Sequence, residues 1–177
     1  REGTILLIDG GCAVEGYRSD MSRTFVLGDP SDIMRERFKI ELDAQTAAFN
    51  VAGPGVLPEE VDAAARHVIE DAGYGPGYTY FTHRVGHGIG MDGHEWPYLV
   101  KGNHTPLVVG NVFSDEPGIY VPGEFGVRLE DCMYITDGGA DLFTPQSPSL
   151  EDPFGNWDHK RRRISSQSFF ICTTMTS

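Results

Sequence analysis

Five side chains of this 177-residue chain are suited to holding divalent metal: Asp9, Asp20, His87, Glu116 and Glu130. They lie in "LLIDGG", "RSDMSRTF", "VGHGIG", "SDEPGIY" and "GVRLED", each at a strand-like end or beside glycine. Four hard carboxylates and one imidazole suit Mn²⁺, Co²⁺, Fe²⁺ or Zn²⁺ better than a thiolate-rich structural zinc site does. Four carboxylates also carry more charge than one divalent ion balances, whereas two ions bridged by shared carboxylates would balance it. Metals about 3.5–4 Å apart are a known device for activating water and holding a leaving group. The stretch "THRVGHGIGMDGHEWP", from Thr82 to Pro97, adds His83 and His94 to His87, with four glycines between them. Ordinary packing does not call for three imidazoles in sixteen residues.

These groups need elements to bring them together. "TILLIDGG" (Thr4 to Gly11) reads as a buried strand ended by glycines. "GYRSDMSRTFVLG" (Gly16 to Gly28) reads as a turn and a returning strand, so a hairpin would set Asp9 and Asp20 face to face. "DPSD" (Asp29 to Asp32) starts a helix with Ser31 as N-cap, and Met34, Phe38, Leu42 and Phe49 recur at helical spacing. "GPG" at 53–55 ends it. Pro58 opens a second helix, lined on one face by Val61, Ala65, Val68, Ile69 and Ala72, and "GYGPGY" closes it. "VVGNVFSDEPGIYV" reads as strand, tight turn and strand, and "GVRLEDCMYIT" as another strand. Two helices against mostly antiparallel strands make the fold class α+β.

The length allows one domain with a real core. A net charge of −12 argues against nucleic acid, whose phosphates demand a basic surface. No apolar run is long enough to span a bilayer, so no membrane partner is expected. Cys12, Cys132 and Cys172 are odd in number and widely spaced, which fits a reducing compartment, the cytoplasm, better than a disulfide framework. Cys12 and Cys132 are expected as small buried hydrophobes, and His67 and His104 as ordinary surface residues. The chain opens on Arg1 and runs straight into an interior-looking strand, so it is expected to begin inside a domain spanning residues 1–155. Residues 156–177 change character, with "KRRR" and a Ser/Thr-rich end, and read as a flexible or foreign tail.

Taken together, "LLIDGG", "YRSDMSRTF", "HRVGHGIGMDGHEWP", "SDEPGIYVPGEFGVRLED" and "LFTPQSP" resemble the M24 metallopeptidases. The resemblance covers about residues 3–155. It implies a pita-bread fold, here N-terminally truncated, with two divalent ions, Mn²⁺ first and Co²⁺, Zn²⁺ or Fe²⁺ as alternatives. By that resemblance Asp9 chelates one metal, Asp20 and Glu130 bridge, and His87 and Glu116 hold the other. Glu116 also serves as general base. His94 would hydrogen-bond near the scissile carbonyl, His83 would be a further active-site and substrate-binding histidine, and Arg128 would orient carboxylates and face substrate. Arg23 and "HEWP" are similar to the prolyl-specific branch, Xaa-Pro dipeptidase (prolidase) and aminopeptidase P. The implied partner is an Xaa-Pro peptide, with homo-oligomerisation a possibility for a full-length protein. Two other readings stay open: an aminopeptidase P acting on longer peptides, and an inactive fragment or binding module that keeps the metal motifs. Asp115, directly before Glu116, would either raise the pKa of that glutamate or point away from it.

Overall fold

A computed structural model describes residues 1–155; the tail expected at 156–177 lies outside the described residues. Strand β1 (Ile5–Gly10) pairs antiparallel with β4 (Met21–Val26), and a small hairpin of β2 (Ala13–Val14) and β3 (Tyr17–Arg18) closes the turn between them. Gly10 is the register partner of Met21, so Asp9 and Asp20 meet across the hairpin as expected.

The burial expected of β1 is not found. Leu6 is 43% and Ile8 52% exposed, whereas most of β4 is buried. The cause is position: β1 pairs only with β4, and among the described residues nothing covers its outer face. An apolar run marks a strand but does not say how many of its faces are covered.

Helix α1 (Asp32–Val51) follows, with Ser31 at the N-cap; the position agrees with the sequence reading, but the Ser31 side chain makes no capping hydrogen bond. Helix α2 (Pro58–Asp71) starts on its proline, and the Glu60 carboxylate reaches back to accept from the Leu57 N–H at 2.9 Å. Of its expected apolar face, Val61, Ala65 and Ile69 are buried, Val68 is half-buried and Ala72 is exposed. Alanines 44, 48 and 52 let the two helices approach closely.

The remaining strands are β5 (Gly86–Gly88), β6 (Glu95–Leu99), β7 (Val112–Asp115), β8 (Gly118–Tyr120), β9 (Gly126–Arg128), β10 (Asp131–Thr136) and β11 (Gly139–Leu142). Five of them form one antiparallel sheet in the order β11-β10-β7-β5-β6, and β8 pairs with β9 alone. The helices cover the larger sheet over a core that includes Phe81, Leu99, Phe113 and Met133. Phe113 and Met133 are cross-strand partners, both fully buried. Truncating such a phenylalanine to alanine costs about 3–5 kcal/mol.

One topological detail positions the site. The strands on either side of "EP" do not pair with each other. Instead β7 pairs with β10 and β8 with β9, so the chain leaves the large sheet at Glu116 and returns to it at Glu130. Both glutamates thus occupy the same crossing, outside regular strand pairing, where their side chains are free to turn inward. Glu130 is further tied to β4 by an isolated bridge to Ser22.

Candidate metal centre

All five expected donors converge. Ligand atoms of Asp9, Asp20 and Glu130 lie within 4.8 Å of one another, and so do those of His87, Glu116 and Glu130. Glu130 belongs to both sets, as a bridging carboxylate should. The donors line a cleft of about 260 Å³ together with His83, Arg84, His94 and Arg128. Asp20 also borders a second recess of about 340 Å³, beside Cys12, Arg18 and Ser19.

The imidazole is preset. His87 Nδ1 lies 3.0 Å from the Gly88 carbonyl oxygen and donates its proton there, which turns Nε2 toward the carboxylates; burial would lower the ring's pKa, but its hydrogen bonds to Glu116 and Gly88 raise it. Nε2 stands 3.1 Å from Glu116 Oε1 and 3.8 Å from Asp20 Oδ2. Two serines brace the glutamates. Ser114 Oγ donates to Glu116 Oε1 at 3.1 Å and accepts from the His87 N–H at 3.0 Å. Ser22 Oγ donates to Glu130 Oε2 at 2.7 Å. Arg128 donates to the Asp9 carboxylate and to Ser22 Oγ, at 3.2 Å for the latter.

The electrostatics fit a cation. Burial, together with Glu116 and Asp20, pushes Glu130 up to about 8. Burial and the neighbouring Asp9 raise Asp20. Glu116 moves the other way: burial would raise it, but the His87 hydrogen bond and charge outweigh burial and leave it below the usual carboxylate range. Carboxylates crowded until some hold a proton are what a divalent ion would discharge. On donor chemistry and on charge, the residues fit a pair of hard divalent ions.

Asp115 does not raise Glu116. Its carboxyl is fully buried away from the cleft, with both oxygens lacking hydrogen-bond partners among the described residues. Burial and the neighbouring Asp131 hold it well above the usual range. Of the two alternatives, the structure places Asp115 pointing away.

The two flanking histidines differ. His94 is exposed at the cleft mouth, its ring 3.8 Å from that of His87, and its nitrogen is close enough to join Asp20 and His87 in a third possible ligand set. His83 is half-buried and both ring nitrogens are engaged: Nδ1 donates to the Arg84 carbonyl at 2.8 Å and Nε2 accepts from the Tyr120 hydroxyl at 2.9 Å. Burial lowers its pKa and keeps it neutral. His67 and His104 are exposed as expected, and His104 pairs with Glu59.

Sequence reading missed Tyr120, Ser22, Ser114 and Arg84. Tyr120 had a signal. A Cβ on Gly118 would meet its hydroxyl at 2.4 Å and one on Gly126 would meet its ring at 2.6 Å, so both glycines make room for that ring. The glycines around His87 make room for the neighbouring strands. A Cβ on Gly86 would lie 1.9 Å from the Ser114 carbonyl oxygen, and one on Gly88 2.5 Å from that of Glu95. They allow β5 to fit between β6 and β7. Cys132 is buried as expected, but Cys12 is only half-buried, with its sulfur 3.3 Å from Ser19 Oγ beside the second recess.

Residues 1–137 match the model of metallopeptidase family M24. The chain is 49% identical over 147 residues to a Xaa-Pro dipeptidase of Lactobacillus delbrueckii subsp. lactis, a match covering 83% of this chain and 39% of that protein. It is 43% identical over 148 residues to the Xaa-Pro dipeptidase of Pyrococcus furiosus, covering 84% and 42%. Among solved structures, dipeptidase PepE from Mycobacterium ulcerans superposes with a TM-score of 0.81 at 45% identity, over 85% of this chain and 40% of that one. Prolidase from Pyrococcus furiosus superposes at 0.76 and 42%, over 80% and 41%. The chain thus spans about two-fifths of the length of the curated relatives it matches. With five donors in one cleft on a shared pita-bread scaffold, the chain belongs to metallopeptidase family M24.

Proposed function

We propose that this chain carries the dinuclear metal centre of a metallo-exopeptidase that hydrolyses the bond before proline in Xaa-Pro dipeptides. The carrying observation is the convergence of Asp9, Asp20, His87, Glu116 and Glu130, with Glu130 common to two ligand sets. Asp9, Asp20 and Glu130 would hold one ion, and Asp20, His87, Glu116 and Glu130 the other. Mn²⁺ is the first choice because most of the donors are hard oxygens. Such a pair, when bound, supplies Lewis-acid polarisation of the scissile carbonyl and an acidified water.

The chain's own groups supply the rest. Glu116, beside His87 and hydrogen-bonded by Ser114, accepts the proton of the attacking water and returns it to the proline nitrogen as the C–N bond breaks. His94, at the mouth, donates a hydrogen bond to the carbonyl oxygen as it gains charge. Arg84 lines the cleft with its buried Nε lacking a hydrogen-bond partner among the described residues, and offers a cation for the substrate's terminal carboxylate. His83 and Tyr120 link the Arg84 carbonyl to the Arg128 side chain by hydrogen bonds. The free thiols of Cys12 and Cys132 suit a cytoplasmic setting.

The test is hydrolysis of a series from Xaa-Pro dipeptides to Xaa-Pro-led pentapeptides, with Mn²⁺ present. Cleavage that falls as peptides lengthen supports the dipeptidase reading. Faster cleavage of the longer peptides assigns an aminopeptidase P instead. No cleavage of any length contradicts both.

A further inference from the structure

Metal carboxylates act through where their backbone places them, and here one buried amide touches the backbone neighbourhood of two. Gln45, on α1, is fully buried. Its Nε2 donates to the Asp115 carbonyl oxygen at 3.1 Å and to Asp131 Oδ2 at 3.1 Å. Asp115 is the residue before Glu116 and Asp131 the residue after Glu130. The two aspartates are register partners across β7 and β10, at the point where the chain leaves and re-enters the large sheet. The amide is itself fixed, because Gln146 Nε2 donates to Gln45 Oε1 at 3.0 Å and to Thr46 Oγ1 at 3.2 Å. The other oxygen of Asp131 accepts from Arg23 at 2.6 Å and from Thr144 Oγ1 at 2.7 Å. Arg23 also donates to the Glu130 carbonyl oxygen at 2.8 Å.

We propose that Gln45 is a positioning residue for the metal centre: its single amide group, locked by Gln146, sets the separation of Glu116 and Glu130 by holding the residues beside them. The inference rests on the metal reading above. Both of its contacts lie on the last register pair of β7 and β10, beyond which the ladder stops, so Gln45 braces the end of the ladder next to both glutamates. A helix side chain spanning two strands does there what a cross-strand hydrogen bond would do further along. Neither Gln45 nor Gln146 lines the cleft, so the effect on metal is transmitted through the backbone. Groups that orient metal ligands from outside the ligand set typically change metal affinity by 10–100-fold when removed.

The experiment is calorimetric titration of Mn²⁺ into metal-free parent chain, Gln45→Leu, and Asp43→Gly. The last variant weakens the same helix from its exposed face and touches no ligand-bearing strand through its side chain. Circular dichroism melts fix a temperature at which all three are fully folded, so that lost stability does not pass for lost affinity. Gln45→Leu keeps the side-chain volume roughly while removing the donor. The expected result is 10–100-fold weaker Mn²⁺ binding in Gln45→Leu, with Asp43→Gly within twofold of the parent. Parent-like binding in Gln45→Leu, or equal weakening in Asp43→Gly, overturns the positioning role and leaves the metal reading standing. A parent that binds no Mn²⁺ overturns the metal reading and this inference with it. If Gln45→Leu does not fold, Gln146→Leu, which frees the amide without removing it, is expected to show an intermediate loss, and unchanged binding in it overturns the proposal.

Discussion

Asp115 and Asp131 stand opposite each other on β7 and β10, and each is bonded along the chain to a glutamate of the metal centre. Two buried carboxyls side by side repel if both ionise, yet one cation serves them. Arg23 donates to Asp131 at 2.6 Å, while Asp115 has no ion-pair partner among the described residues, and burial and Asp131 push its pKa well above the usual range. Behind the site, an ion pair thus lies beside an acid whose burial disfavours its charged form.

Removing Arg23 strands the Asp131 charge in the interior. Arg23→Leu is expected to destabilise the chain by about 3–5 kcal/mol, the usual cost of breaking one side of a buried pair. Asp115→Asn, which replaces a neutral acid by a neutral amide, is expected to cost about 1 kcal/mol or less. Urea unfolding of both variants at pH 7 measures the difference, and equal costs would contradict the assignment of charge.

The metal-free protein is expected to lose stability as pH rises from about 4.5 to about 8. Glu130 has an ordinary value of 4.5 and is pushed up to about 8 when folded, so within that window the folded chain holds a proton that the unfolded chain releases. The contribution is fully present below 4.5 and gone above about 8. Its size is on the order of a few kcal/mol. Glu130→Gln mimics the protonated form, so at pH 8 the metal-free variant should melt higher than the parent while binding Mn²⁺ far more weakly. Melting curves at pH 5 and pH 8 check this, and a parent more stable at pH 8 would contradict the direction.

A methyl group at Gly86 has nowhere to go, because the nearest atom is a backbone oxygen 1.9 Å away. Gly86→Ala must push β5 from β7 and is expected to cost about 1–3 kcal/mol or more. Because His87 is the next residue and Ser114 the one pushed, Mn²⁺ binding should weaken as well. Comparison with Gly110→Ala, where nothing lies within 4 Å and only a positive φ opposes the change, separates crowding from backbone strain.

Glu116→Ala is expected to lower turnover of Xaa-Pro dipeptides by about 10²–10⁴-fold, the usual range for a lost general base, and further if metal binding fails with it. The melting temperature of the metal-free chain should change little, since Glu116 sits at a strand break and, among the described residues, makes side-chain bonds to His87 and Ser114 alone. Turnover within a few-fold of the parent would remove Glu116 from the reaction.

The five candidate donors were legible because each is a polar residue at a strand-like end or beside glycine, a placement that packing alone does not call for. The start of α2 was legible from Pro58, and the fold class from two periodicities. The exposure of β1 was not, since Leu6 and Ile8 read the same whether or not anything covers them. Nor was the crossing at Glu116 and Glu130. A tight turn and a change of sheet both read as a strand interrupted by "EPG", and only the pairing of β7 with β10 tells them apart. Gln45 was invisible for a related reason. A glutamine among helical residues looks solvated, and its burial depends on Asp115, Asp131 and Gln146, far away in the chain. Tyr120 lay between, its ring announced by Gly118 and Gly126 to a reader who asks what the glycines avoid.

The most direct test of the central claim is a calorimetric titration of Mn²⁺ into the metal-free chain and into Asp20→Asn. Asp20 reaches donors of both ligand sets and belongs to the hairpin that must fold for the centre to exist. Two Mn²⁺ per parent chain are expected, taken up with proton release below pH 8, with at least one lost in Asp20→Asn. No Mn²⁺ uptake by the parent, or two undisturbed sites in Asp20→Asn, would contradict that claim.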